Sequence, residues 1–139
     1  MKISARNVFE GRISALVPGP VNAEVTLTLA GGDMLVAVVT QASVCDLGLV
    51  AGASACAIVK APWVIVSTGG GQRLSARNQL RGTVSAVKAG PINAEVAITL
   101  PGGTVVHAVV TRGAVAELGL KPGVAASAEI NASQVVLGV

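Results

Sequence analysis

The chain reads as all-β, two tandem five-stranded barrels, each with a short helix between its third and fourth strands. Three observations predict this. Apolar residues alternate with a period of two, Val, Ile and Thr are enriched, and the sequence repeats itself without a gap. Shifting the chain by 71 positions aligns residues 4–67 with 75–138, and 30 of the 64 pairs are identical. They include "SARN" twice, "GPVNAEV" with "GPINAEV", "AVVT" twice and "LGL" twice. This is a tandem duplication in which each copy is one structural unit. The division is residues 1–67, a glycine-rich linker at 68–74 containing "GGG", and residues 75–139.

In copy one the alternation places strands at residues 11–17, 23–29 and 34–40. The "PGPVN" turn lies between the first two, and a hairpin turn at 30–33 between the second and third. In "ASVCDLGL", Ser43 is the expected cap of a short helix and Gly48 ends it, because glycine takes the left-handed conformation readily. Strands at 53–59 and 63–66 follow, separated by Pro62. Copy two repeats the plan at 82–87, 94–100, 104–111, 125–130 and 134–137. Five strands with a helix between the third and fourth is the order of a Greek-key barrel of the OB type. Another five-stranded barrel or a pair of split sheets fits almost as well.

Composition narrows the function. Apolar residues make up 52%, charged residues 12%, and the mean hydropathy is +0.71. That is more apolar material than a chain of 139 residues hides alone, so burial between subunits is expected. No run reaches the roughly 18 apolar residues of a membrane span. The N-terminus, with Lys2, Arg6, Glu10 and Arg12, lacks the apolar core of a signal peptide, which places the protein in the cytoplasm. Cys45 and Cys56 are not in metal-binding or redox spacing and read as small buried hydrophobes. A net charge of +3 weakly favours an anionic partner.

Catalytic groups are scarce. His107 is the only histidine, and its counterpart in copy one is Val36. Glu24 and Glu95 recur at equivalent places and read as exposed strand residues, each paired with a neighbouring cation. The triple glycine lacks the ending of a phosphate loop. The expectation is therefore no enzyme and no catalytic cofactor. Nucleic-acid binding by such a barrel needs exposed aromatic rings for stacking. Here there is no Tyr, Phe9 aligns with Leu80, and Trp63 with Gln134, so that reading ranks low.

The repeated polar residues remain. Ser4 and Ser75 offer hydroxyls, Arg6 and Arg77 forked cations, and Asn7 and Asn78 amides, all just before an apolar run. Such donors suit an oxyanion. Weighing equally is a reading of "SARN" as a conformational lead-in with a solvated arginine. Lys60, in "VKAPW", adds weight to the anion, although a lysine snorkelling from a strand end is the plain account. Thr40 and Thr111 could add hydroxyls, with ordinary strand-end preference favoured over that role.

The segments "SARNQL" (75–80), "GPVNAEV", "AVVT", "LGL" and "VKAPWVIV" (59–66) together resemble the molbindins, whose Mop repeat is an OB-like (TOBE-like) molybdate-binding domain. The tandem arrangement is similar to the di-Mop proteins and to the ligand-binding half of the molybdate-responsive transcription regulator. The resemblance implies an intracellular protein that binds molybdate, and often tungstate, for storage and homeostasis without turnover. It implies a homo-oligomer, a trimer being favoured, with oxyanion sites between repeats or subunits. Carried over by position, Ser4, Arg6, Thr40 and Lys60 form the site of copy one, and Ser75, Arg77 and Thr111 that of copy two. Asn131 stands where copy one has Lys60, and backbone N–H groups at Ala5, Ala61 and Ala76 are further donors. The loops Val21–Asn22–Ala23 and Ile92–Asn93–Ala94 are a weaker carry-over to a second class of site. The alternatives are a sensor module that reports molybdate to a partner protein and, less favoured, a nucleic-acid-binding OB protein.

Overall fold

The computed structural model describes residues 1–139. Copy one forms β1 (Asn7–Val17), β2 (Asn22–Leu29), β3 (Met34–Thr40), α1 (Gln41–Leu47), β4 (Ser54–Val59) and β5 (Ile65–Ser67). Copy two forms β6 (Asn78–Ala89), β7 (Asn93–Thr99), β8 (Val105–Thr111), α2 (Arg112–Leu118), β9 (Ala125–Ile130) and β10 (Val136–Gly138). The alternation of apolar residues is the cause, since it gives each ladder one face for the core; β2 buries Ala23, Val25, Leu27 and Leu29 and turns the residues between them outward. No helix is long and apolar enough to cross a membrane.

The sheets are ordered β10-β4-β1-β2-β3 and β5-β9-β6-β7-β8. Each is the OB order, with the fifth strand lying against the third to close the barrel. One feature departs from the reading of each copy as a self-contained unit: the fifth strands are exchanged. β5 of copy one pairs with β9 of copy two, and β10 of copy two pairs with β4 of copy one. The cause lies in the segment between the last two strands of each copy. The chain there forms single 3-10 turns, Ala61–Trp63 and Ala132–Gln134, which take in Trp63 and Gln134, the first residues of the expected strands, and the first is opened by Pro62. Each turn packs on the third strand of the other repeat, β8 and β3 respectively, and so carries the chain across instead of folding it back.

The exchange merges the interiors, so that 28 buried residues from both repeats form one hydrophobic cluster. The Ser67 hydroxyl, on exchanged β5, donates to Glu129 on β9 at 2.6 Å. Glu129 is 2% exposed and stands where copy one has Ile58.

Two further expectations are corrected. Thr40, not Ser43, caps α1, its hydroxyl accepting from the Ser43 N–H at 3.1 Å, and Thr111 does the same for α2 through Ala114. Thr40 closes the β2–β3 ladder opposite Asn22 and is also the residue directly before the helix, which leaves Ser43 inside the first turn. Cys45 is exposed on α1 and Cys56 half-buried, because α1 turns only a narrow stripe, centred on Val44, to the core.

Two symmetric contacts lock the repeats together. Asn7 is 1% exposed; its amide nitrogen donates to the His107 carbonyl at 2.8 Å and its amide oxygen accepts from the His107 N–H at 2.7 Å. Asn78 makes the same pair with Val36, at 2.8 and 2.7 Å. Each asparagine thus acts as one residue of an extra strand on the other repeat's edge. Nearby the hairpin turns abut. A Cβ on Gly31 would stand 2.6 Å from the Gly102 carbonyl oxygen and 2.9 Å from its Cα.

Asn78→Ala leaves the backbone groups of Val36 unpaired under cover, and we expect a loss of about 1–3 kcal/mol in urea unfolding. Gly31→Val should destabilise by a similar or larger amount, as overpacking does, whereas Gly32→Asn meets no neighbour and strains only the backbone at φ +90°, which asparagine tolerates better than most residues, and should cost less. Equal midpoints for Gly31→Val and Gly32→Asn would show that the turns do not meet.

Candidate functional site

The exchanged architecture decides which candidate residues are neighbours. Asn7 pairs with Val59 in the β1–β4 ladder, so Arg6 and Lys60 leave the end of that ladder side by side. Asn78 pairs with Ile130 in the same way, which puts Arg77 beside Asn131. Each ladder end lies against the other repeat. Arg6 donates from Nη2 to Glu95 Oε1 at 3.0 Å, while Arg77 grips Glu24 with both terminal nitrogens, at 3.0 and 3.1 Å. The two glutamates do pair with cations, but they are half-buried and their partners come across the duplication.

The 3-10 turn after Lys60 packs on β8, which ends at Thr111, and the turn after Asn131 packs on β3, which ends at Thr40. The grouping by copy therefore changes. Arg6 and Lys60 are brought towards Thr111, and Arg77 and Asn131 towards Thr40. A cleft of about 370 Å³ marks the second end, lined among others by Asn22, Thr40 and Ser43 from copy one and Ser133 from copy two.

The other candidates fall around these ends. Ser4 and Ser75 are exposed, Ala5 and Ala76 half-buried, and Ala61 buried, so Ala61 can offer only its backbone to a ligand. Asn22 stands opposite Thr40 in the β2–β3 ladder and Asn93 opposite Thr111 in β7–β8. The loops read as a second class of site are therefore next to the first. Val21 and Ile92 are exposed at their tips, and Ala23 and Ala94 point into the core. The Val21 and Ile92 carbonyls accept from the N–H groups of Gln41 and Arg112.

The two ends differ in charge. Around Arg6 stand Lys60, then Lys88 opposite Glu95 on β6, then Arg112 directly after Thr111. The matching positions around Arg77 are Asn131, Val17 opposite Glu24, and Gln41. One end thus gathers several cations around Glu95, with Glu10 in the adjoining groove, and the other holds the Arg77–Glu24 ion pair. The arginines are more than half exposed, so these pairs contribute only about 0–1 kcal/mol each and an incoming anion displaces them readily. A groove of about 470 Å³ beside the first end is lined by Arg6, Phe9, Glu10, Thr104 and His107, among others. The largest concavity, about 770 Å³, lies between Met1 and Val139 on the outside of copy one and contains none of the candidate residues.

Sequence reasoning found the arginines and the lysine but not their carboxylate partners or the buried role of Asn7 and Asn78. The arginines, glutamates and asparagines recur at equivalent places in both copies, so that signal was present, while Lys60 has Asn131 as its counterpart. Their pairing required the strand exchange.

The fold has close parallels. A crystal structure described as the cytoplasmic molybdate-binding protein ModG, with molybdate bound, superposes with a TM-score of 0.97 at 59% identity, covering 100% of this chain and 99% of that one. The molybdenum transport protein ModE of Herbaspirillum seropedicae is 43% identical over 140 residues, which is 100% of this chain and 52% of the relative. The molybdenum-pterin-binding protein MopA of Rhodobacter capsulatus is 39% identical over 140 residues, 100% of this chain and 53% of the relative. The chain spans about half the length of these two relatives. The TOBE domain pattern matches residues 3–66 and again 74–137, leaving only the ends and the glycine-rich connection uncovered. The chain belongs to the TOBE-domain family and carries two such domains in tandem.

Proposed function

We propose that the chain binds molybdate, with tungstate as an alternative ligand, at the two composite ends, and holds it without chemical turnover as a cytoplasmic storage and homeostasis protein. The observation that carries this reading is the full-length likeness to a molybdate-bound structure at 59% identity. The geometry supports it. An oxyanion dianion calls for convergent donors, and the Arg6–Lys60 pair offers two cations at one ladder end with the Ser4 hydroxyl and the Ala5 and Ala61 backbone close in sequence. Ser75, Ala76 and Arg77 supply the same elements at the other end, with Asn131 in place of the lysine. The loops Val21–Ala23 and Ile92–Ala94 would line further sites in an assembly.

A homotrimer is the assembly we favour. Val17, Val21, Ile92 and Val136 are each more than half exposed, and a chain that is 52% apolar gains by covering such residues against copies of itself. A second reading, a sensor module acting on a partner protein, is supported by one observation: a relative 34% identical over 138 residues is named as the transcriptional regulator ModE of Yersinia pestis.

Native mass spectrometry should show trimers that gain several molybdates at once, and a chain that stays monomeric and empty would overturn the reading. Calorimetry should resolve two affinity classes. Charge-assisted hydrogen bonds are roughly twice as strong as neutral ones, so the Lys60 end should bind more tightly. Lys60→Ala should weaken that class about tenfold, the equivalent of about 1.4 kcal/mol, and Asn131→Lys should strengthen the other. A single class unaffected by Lys60→Ala would refute the asymmetry.

A further inference from the structure

His107 is the one histidine of the chain, and its place is unusual. Its backbone is gripped by Asn7, so the ring is fixed at the Arg6 end. Its Nδ1 atom is shielded from water and makes no hydrogen bond, yet it lies 3.4 Å from Glu95 Oε1. That same oxygen accepts the single hydrogen bond from Arg6 at 3.0 Å. Two cation-capable groups therefore converge on one carboxylate oxygen. Nothing similar exists at the other end, where Val36 replaces the histidine and Glu24 holds Arg77 through both oxygens.

We infer that His107 is a proton-linked positioning residue for the Arg6–Lys60 end: protonation of its ring lets it take over Glu95 and releases Arg6 to the oxyanion. The inference rests on the anion-binding reading above. The neutral ring leaves Arg6 as the partner of Glu95. A protonated Nδ1–H donates to Glu95 Oε1 and competes with Arg6 for it, while the added charge in the groove shared by Arg6 and His107 attracts the anion.

The charged groups on the elements packed against the ring are Glu95 on β7, Glu10 on β1 and Lys88 on β6 opposite Glu95, with Lys60 before the 3-10 turn that packs on β8 and Arg112 and Glu117 on α2, the helix that follows β8. Histidine is the side chain whose charge ordinarily changes between about pH 5 and 8. The sign follows: anion affinity at this end rises as pH falls from 8 to 6, while the Arg77 end stays flat.

The test uses the intact protein and molybdate at micromolar concentration. Calorimetry at pH 8 and pH 6 should show the tighter class strengthening about fivefold, the lower range of coupling between sites, and the weaker class unchanged. His107→Val, which installs the residue of the equivalent position, should abolish the pH response. Because coupling is reciprocal, NMR titration of the single imidazole should show its midpoint moving to higher pH when molybdate saturates the wild-type protein, a readout independent of any variant's folding. Molybdate binding with no pH response, a response retained in His107→Val, or an unmoved imidazole midpoint would overturn this inference and leave the binding reading intact. An absence of molybdate binding at every pH would overturn both.

Discussion

The exchange of the fifth strands is the constraint on which the molecule depends. β5 and β10 complete sheets that their own repeats leave unfinished, so neither repeat closes its barrel alone. A half of about 65 residues is marginal as a separate domain. Joined by the exchange, both halves share one buried cluster, and each lends the other a strand and a 3-10 turn. The candidate sites follow from this, because the turn that carries the strand across also brings Lys60 or Asn131 to the third strand of the other repeat.

Around the exchange, the groups that meet across the pseudo-twofold axis are identical in the two copies. Gly31 faces Gly102, Arg6 and Arg77 meet Glu95 and Glu24, and Asn7 and Asn78 hold the edges of β8 and β3. The asparagine contact is the most permissive. It engages only the backbone of its partner residue, so the partner's side chain is free to differ, and it does: histidine in one copy, valine in the other. The interlock thus demands sequence identity at a few points and tolerates divergence directly beside them.

Much of this was legible from the chain. Alternation with a period of two located every ladder, and the boundaries of β3 and β9 agree with the sequence reading to the residue. The first strand was read too short because Asn7 and Asn78 are polar, although they are buried; burial of an amide depends on a backbone partner that is 100 residues away for Asn7. Segments 63–66 and 134–137 read as strands because branched apolar residues dominate them, and the proline effect that bends the chain just before the first into a turn is local. The direction the chain takes after that turn is set by packing on β8, which no local signal encodes. At the site, residue types were legible and partners were not. Arg6 and Thr40 lie in one copy of the sequence but at opposite ends of the assembled pair.

Fusing the repeats in one chain has a physical consequence for binding. In an assembly of identical single repeats, every site formed between two of them must carry the same residues. Here, with Glu10 against Arg81 the exception in sign, four differences fall together on one end: Lys60 against Asn131, Lys88 against Val17, Arg112 against Gln41, His107 against Val36. Of these positions only His107 and Val36 take part in the interlock, and they do so through backbone atoms alone, so the side chains are free to differ. The four differences share one electrostatic direction, since three place a permanent cation and one a titratable ring beside Arg6. Long-range fields add, and several partly exposed charges of one sign raise the local concentration of an anion even where each pair contributes little. The duplicated frame keeps the geometry of both ends alike, and the charges set beside it make the two ends chemically unequal.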